Sequence, residues 1–192
     1  ELPSAKGDPA RCEALFSEIK THFCADLLEM EIGVPGEGAT TLFLKACDAG
    51  YLLLCEFFLQ TVEESKRVDL VKKPNSSRES PLMLACQSGS CEVVAFILGQ
   101  LGPVAAAEQI KKMNVDYLTP LMLACQSGSL DVVKFLLEQL STASPVEELK
   151  KMNLYRLTTL MLACESGSLE LVQFILEQLG PVAAAEELKK VD

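Results

Sequence analysis

Apolar positions along the chain are grouped in short helical patterns that recur at a fixed step. The run Pro81-Leu82-Met83-Leu84-Ala85-Cys86-Gln87-Ser88-Gly89-Ser90 returns unchanged over 120–129 and, slightly altered, over 159–168. A degenerate copy, Leu42 to Gly50, sits one step earlier, so Gly50, Gly89, Gly128 and Gly167 are each 39 residues apart. Each step predicts a helix (Leu-Met-Leu-Ala-Cys), a tight turn and a second helix. In the third copy the second helix buries Val132, Val133, Leu136 and Leu137, an i, i+1, i+4, i+5 face. A shorter third helix is predicted after Gly102-Pro103, Ser144-Pro145 and Gly180-Pro181. A unit this small cannot bury its own apolar face, but stacked units can, which is the physical basis of a repeat array.

The polar residues fit the helix ends. Ser80 and Thr119 precede prolines, and Pro suits the first helical position because its missing N–H would have no partner there. Gly89, Gly128 and Gly167 suit the left-handed residue that closes a helix. The serines that follow them, Ser90, Ser129 and Ser168, are placed to cap the next helix. Asp131 and Glu170 fall in the first turn of that helix, where its dipole favours negative charge.

These residues, Thr119-Pro120-Leu121, Leu123-Ala124-Cys125, Gly128, Val132-Val133 and Leu136-Leu137, resemble the ankyrin repeat over residues 37 to 192. The resemblance implies an all-α, right-handed solenoid of four units, about 37–75, 76–114, 115–153 and 154–192, with an extra short helix in each. Three features depart from the family's pattern. The period is 39 instead of 33, Met122 and Ser129 stand where histidines are customary, and Tyr117 or Arg156 replaces the glycine that opens the finger. The fingers are therefore expected to be short or absent. Residues 1–36 do not match; the helical spacing of 12–20 and 24–30 predicts an N-terminal helical cap, the edge of another domain being the alternative. The end at Lys189-Lys190-Val191-Asp192 falls where a further unit would begin and reads as a chain trimmed there.

Composition narrows the function. The 17 Lys and Arg against 27 Asp and Glu give a net charge of -10, which argues against nucleic acid, since binding it requires a basic footprint. No apolar run approaches the ~20 residues of a membrane span, and the first five residues lack the parts of a signal peptide. Cys47, Cys86, Cys125 and Cys164 share the repeat register and read as small buried hydrophobes with reduced thiols, which points to a reducing, cytoplasmic setting. His22 is the only histidine, without a triad motif around it, and there is no Cys-x-x-Cys, P-loop or dinucleotide fingerprint. The expectation is a monomer that is not an enzyme and holds no cofactor and no metal.

What remains is protein binding. In the family the partner lies in a groove made by fingers and first helices, which here implies Ser76, Ser77 and Glu79, Val115, Asp116 and Leu118, and Leu154, Tyr155 and Leu157. The first-helix positions are Gln87, Ser88, Gln126, Ser127, Glu165 and Ser166. Tyr117, Tyr155 and Arg156 stand out because Tyr and Arg are enriched at binding hot spots. With Asp116 and Gln126 they are expected to share one patch, bordered by Leu118, Leu154, Gln87 and Glu165. Lysine pairs at 72–73, 111–112, 150–151 and 189–190 would form a basic edge, read as a solvated face balanced by Glu147 and Glu186. The functional reading is a scaffold that binds a partner protein or peptide on its concave face. The alternative is the targeting part of a larger enzyme, or a secreted bacterial effector acting in a host cytoplasm.

Overall fold

A computed structural model describes residues 32–34, 37–140 and 145–189. It opens with two short antiparallel strands, β1 (Ile32–Val34) and β2 (Glu37–Thr40), paired Ile32 to Thr40 and Val34 to Glu37. The helical cap expected over 1–36 therefore meets strand, not helix, at 32–34; the rest of that expectation, with Cys12, His22 and Cys24, lies outside the described residues.

The helices follow in four sets: α1 (Leu42–Asp48), α2 (Leu52–Thr61) and α3 (Glu64–Lys72), then α4 (Pro81–Ser88), α5 (Cys91–Gly99) and α6 (Pro103–Ile110). The third set is α7 (Pro120–Gln126), α8 (Leu130–Gln139) and α9 (Pro145–Leu149), and the fourth is α10 (Thr159–Glu165) and α11 (Leu169–Leu188). Within α11, Gly180 leaves the helical region (φ 72, ψ 168) just before Pro181. The expected second and third helices of the last unit thus meet there at a kink. First helices stack on one another in sequence order, α1 on α4, α4 on α7 and α7 on α10, while α2, α5 and α8 form the second layer. The fold is an all-α ankyrin-type solenoid, with the β1–β2 pair as its strand element.

Local chemistry explains the element boundaries. Thr41, Ser80, Thr119 and Thr158 each accept a hydrogen bond from the backbone N–H three residues on, capping all four first helices. Gly50, Gly89, Gly128 and Gly167 close the turns at φ of 69, 74, 74 and 75, a region that costs glycine nothing. Ser90 and Ser168 cap α5 and α11 as expected. Ser129 does not cap α8: its hydroxyl donates instead to the Gly89 carbonyl of the previous unit (3.1 Å). Ser127 behaves alike, its hydroxyl 3.1 Å from the Cys86 carbonyl oxygen and 2.9 Å from that of Ala124. A Cβ on Gly89 would touch Ser129 at 3.5 Å. The Ser-Gly-Ser turn is thus the seam where one unit meets the next.

The core is aliphatic and continuous, with Met83, Met122, Val132, Val133, Leu136 and Leu171 all at 0% exposure. Cys47, Cys86 and Cys125 are buried in it, but Cys164 at the same register is exposed. Burial pushes the Cys86 and Cys125 thiols well above their ordinary pKa, Cys125 and Cys91 adding to the effect at Cys86. Buried and protonated, neither is a nucleophile at neutral pH. Brief exposure of the native protein to an alkylating reagent, read by peptide mass mapping, should label Cys164 and spare Cys86 and Cys125. Labelling of all three at one rate would show that the stack opens easily.

Candidate functional site

Between the third helix of one unit and the first helix of the next, the chain makes a five-residue turn. Three such turns are described, 75–79, 114–118 and 153–157, and an asparagine builds each of them. The Asn114 carboxamide oxygen accepts from the N–H of Asp116 (3.0 Å) and Leu118 (2.9 Å). Asn153 does the same for Tyr155 (3.0 Å) and Leu157 (2.9 Å). Asn75 accepts from Glu79 N–H (2.9 Å) and donates from its Nδ2 to the Glu79 carboxylate (2.8 Å). This side-chain brace lets the fourth residue of each turn, Arg78, Tyr117 or Arg156, take φ of 62, 59 or 63.

The fingers, expected to be short or absent, are present and short. They are joined edge to edge: Val115 N–H donates to the Ser77 carbonyl (3.1 Å) and Leu154 N–H to the Asp116 carbonyl (2.9 Å). Met152 and Thr158 add a single strand-like bridge at the base of the last finger. Asn carries the turn because its short side chain mimics a backbone acceptor two residues on. The turns at Tyr117 and Arg156 thus form without glycine.

On this edge lie most of the residues singled out from sequence. Asp116, Tyr117, Leu154, Tyr155 and Arg156 sit on two adjoining fingers, with Tyr117 51%, Leu154 54% and Tyr155 68% exposed. Val115 is exposed beside them, and Met113 and Met152 extend the apolar strip. Leu118 and Leu157 face inward and pack on the core. Gln87, Gln126 and Glu165 are exposed at the carboxyl ends of α4, α7 and α10. Gln126 therefore stands about 10 Å along its helix from the finger that precedes it, at 1.5 Å per residue. The expected single patch is really two: an aromatic finger edge, and a polar row beside the Gly turns. Arg78 was not singled out from the sequence, although its 39-residue register with Tyr117 and Arg156 was there to be read.

The lysine edge is balanced by carboxylates, Glu186 among them as expected, but with Glu148 in place of Glu147. Lys151 pairs with Glu148 (2.6 Å) within its own unit, and Lys150 reaches Glu186 of the next (2.9 Å). Glu147 makes neither bond. The exposed Lys150–Glu186 pair is worth at most about 1 kcal/mol, whereas Glu148 is buried. Among the described residues no group of three or more His, Cys, Asp and Glu could hold a metal ion, and no helix is long and apolar enough to cross a membrane.

Residues 104–185 match the family described as ankyrin repeats (3 copies). No curated protein matches the chain. Ankyrin repeats are generally protein–protein interaction modules, typically without catalytic activity of their own. The capped first helices, the left-handed glycine turns and the braced fingers recur through the matched region, and residues 104–185 are similar to ankyrin repeats.

Proposed function

We propose that this protein is a non-catalytic scaffold that binds a partner protein or peptide on its fingers and first helices, in a reducing cytoplasmic compartment. The observation that carries the reading is the exposed finger edge. Tyr117, Leu154 and Tyr155 stand more than half exposed on braced, mutually bonded turns. Preorganised aromatic side chains of this kind lose little rotamer entropy on binding and offer large apolar area. The polar row of Gln87, Gln126 and Glu165 beyond them supplies the rim.

The test is capture of partners from a lysate by the chain and by two variants. Tyr155→Ala with Arg156→Ala is expected to weaken binding of a captured partner by about 2 kcal/mol or more, the cost of truncating anchor residues. The variant should keep the parent's helical circular dichroism, because both side chains are exposed. Lys150→Ala with Lys151→Ala should alter mainly the association rate and its salt dependence. Undiminished binding by the finger variant, with loss in the lysine variant, would move the site to the lysine edge.

A further inference from the structure

Two thiols meet in the first set of helices. The Cys47 and Cys55 sulfurs lie 3.8 Å apart, with both side chains at 0% exposure. Cys47 is near the end of α1 and Cys55 early in α2, on either side of the left-handed Gly50. Cys47 keeps the register of Cys86, Cys125 and Cys164, but the positions equivalent to Cys55 are Val94, Val133 and Val172. Valine fills that place in three units, so packing does not require a sulfur there. A disulfide needs its sulfurs at about 2.05 Å, so each has to move by about 0.9 Å from where it stands. Burial, then the Cys55 sulfur beside it and the Asp48 charge, hold the Cys47 thiol well above its ordinary pKa. In the closed stack that thiol is protonated and unreactive, and both cysteines are free. Chemistry at the pair therefore waits for α1 and α2 to part. This set is held less tightly than the middle ones. Leu54 and Phe58 are only partly buried, whereas the equivalent Val93 and Ile97, and Val132 and Leu136, are at 0% exposure. Segments with less apolar burial are the ones that open first.

We propose that Cys47 and Cys55 form a redox modification site, a dithiol that a hydroperoxide closes to a disulfide clamping α1 to α2. Once the helices part, one thiolate attacks a peroxide oxygen, and the O–O bond breaks to leave a sulfenic acid and an alcohol, or water from hydrogen peroxide. The second thiol attacks the sulfenic sulfur, the S–S bond forms, and the oxygen leaves as water. The two thiols give up two electrons and two protons, and the peroxide takes both. Only seven residues separate the cysteines, so the second thiol stays within reach while the helices are apart. Because α1 packs on α4, the closed disulfide holds this end of the stack shut. Thiol–disulfide exchange in a reducing compartment returns the dithiol. The site is independent of the finger edge and of what binds there.

The test treats the full, reduced chain with hydrogen peroxide, then unfolds it, alkylates it and cuts it with trypsin. Residues 46–66 form one tryptic peptide that holds both cysteines. That peptide is expected about 2 Da lighter than the dithiol and without alkyl groups, and to accept two of them once it has been reduced. Amide hydrogen exchange in α1 and α2 should slow by about tenfold or more in the oxidised chain. Cys55→Val places the residue of the other three units at this position, so it should keep the parent's helical circular dichroism and show neither effect. Several results would overturn the proposal. One is oxidation of the exposed Cys164 while peptide 46–66 still takes two alkyl groups. Another is a bond from Cys47 or Cys55 to some other cysteine, or sulfinic acid at either in place of the cross-link. Exchange in α2 that is unchanged or faster after oxidation, or slowing that persists in Cys55→Val, would remove the clamp as well.

Discussion

Asn114→Ala is expected to destabilise the protein by about 2–4 kcal/mol, because it leaves two inward N–H groups without their acceptor. The Asn114 side chain is 3% exposed and accepts from both Asp116 and Leu118, so water cannot readily take its place. The loss should spread beyond stability. Without the brace the turn keeps only its backbone bonds, Tyr117 N–H to the Asn114 carbonyl (3.2 Å) and Asn114 N–H to the Leu118 carbonyl (3.1 Å), so Tyr117 is held less firmly at φ 59 and the Leu154 N–H has a less fixed Asp116 carbonyl to bond. Partner binding at the fingers should therefore fall along with the urea midpoint. Asn114→Asp keeps an acceptor oxygen at the same place and should recover most of the stability. Equal losses for Ala and Asp in urea titrations would mean that the side-chain amide, not the acceptor, matters.

The second large effect belongs to the Gly turns. Gly128→Val is expected to cost about 2–5 kcal/mol, combining left-handed strain with overpacking. A Cβ there would lie 3.4 Å from the Cβ and Oγ of Ser166, and valine's two methyls would reach further into that seam. Gly167→Val is the matched control: its φ is 75 against 74, but nothing lies within 4 Å of its Cβ position. It should therefore cost only the strain, about 1–3 kcal/mol. The difference between the two, measured by urea unfolding, isolates the contact between units. Identical losses would show that Ser166 gives way freely and that the seam is loosely packed. Gly50, whose Cβ would meet Ser88 Oγ and Ser90 Cβ at 3.2 Å, should behave like Gly128.

The sequence by itself determined the helix ends and the buried faces of the helices, which depend on neighbours a few residues apart. Helix caps act over three residues, left-handed closure acts at one, and the buried face of α8 follows from helical spacing. Those features were legible, and their 39-residue recurrence made the stack legible too. The tertiary structure decided whatever depends on a neighbouring unit. Cys164 repeats the local sequence of Cys125, yet one is exposed and the other buried, since burial there is supplied by the next unit and not by the residue's own helix. Ser129 sits in a cap position and donates to Gly89 instead, a choice between two acceptors that only stacking presents. Lys150 passes over Glu147 for Glu186, because the interface of α9 with α11 brings that carboxylate closer. At the fingers, the sequence showed that glycine was missing. It did not show that Asn114 and Asn153 replace its freedom with a side-chain brace, since the same asparagines would suit an open loop equally well until adjoining fingers bond to one another.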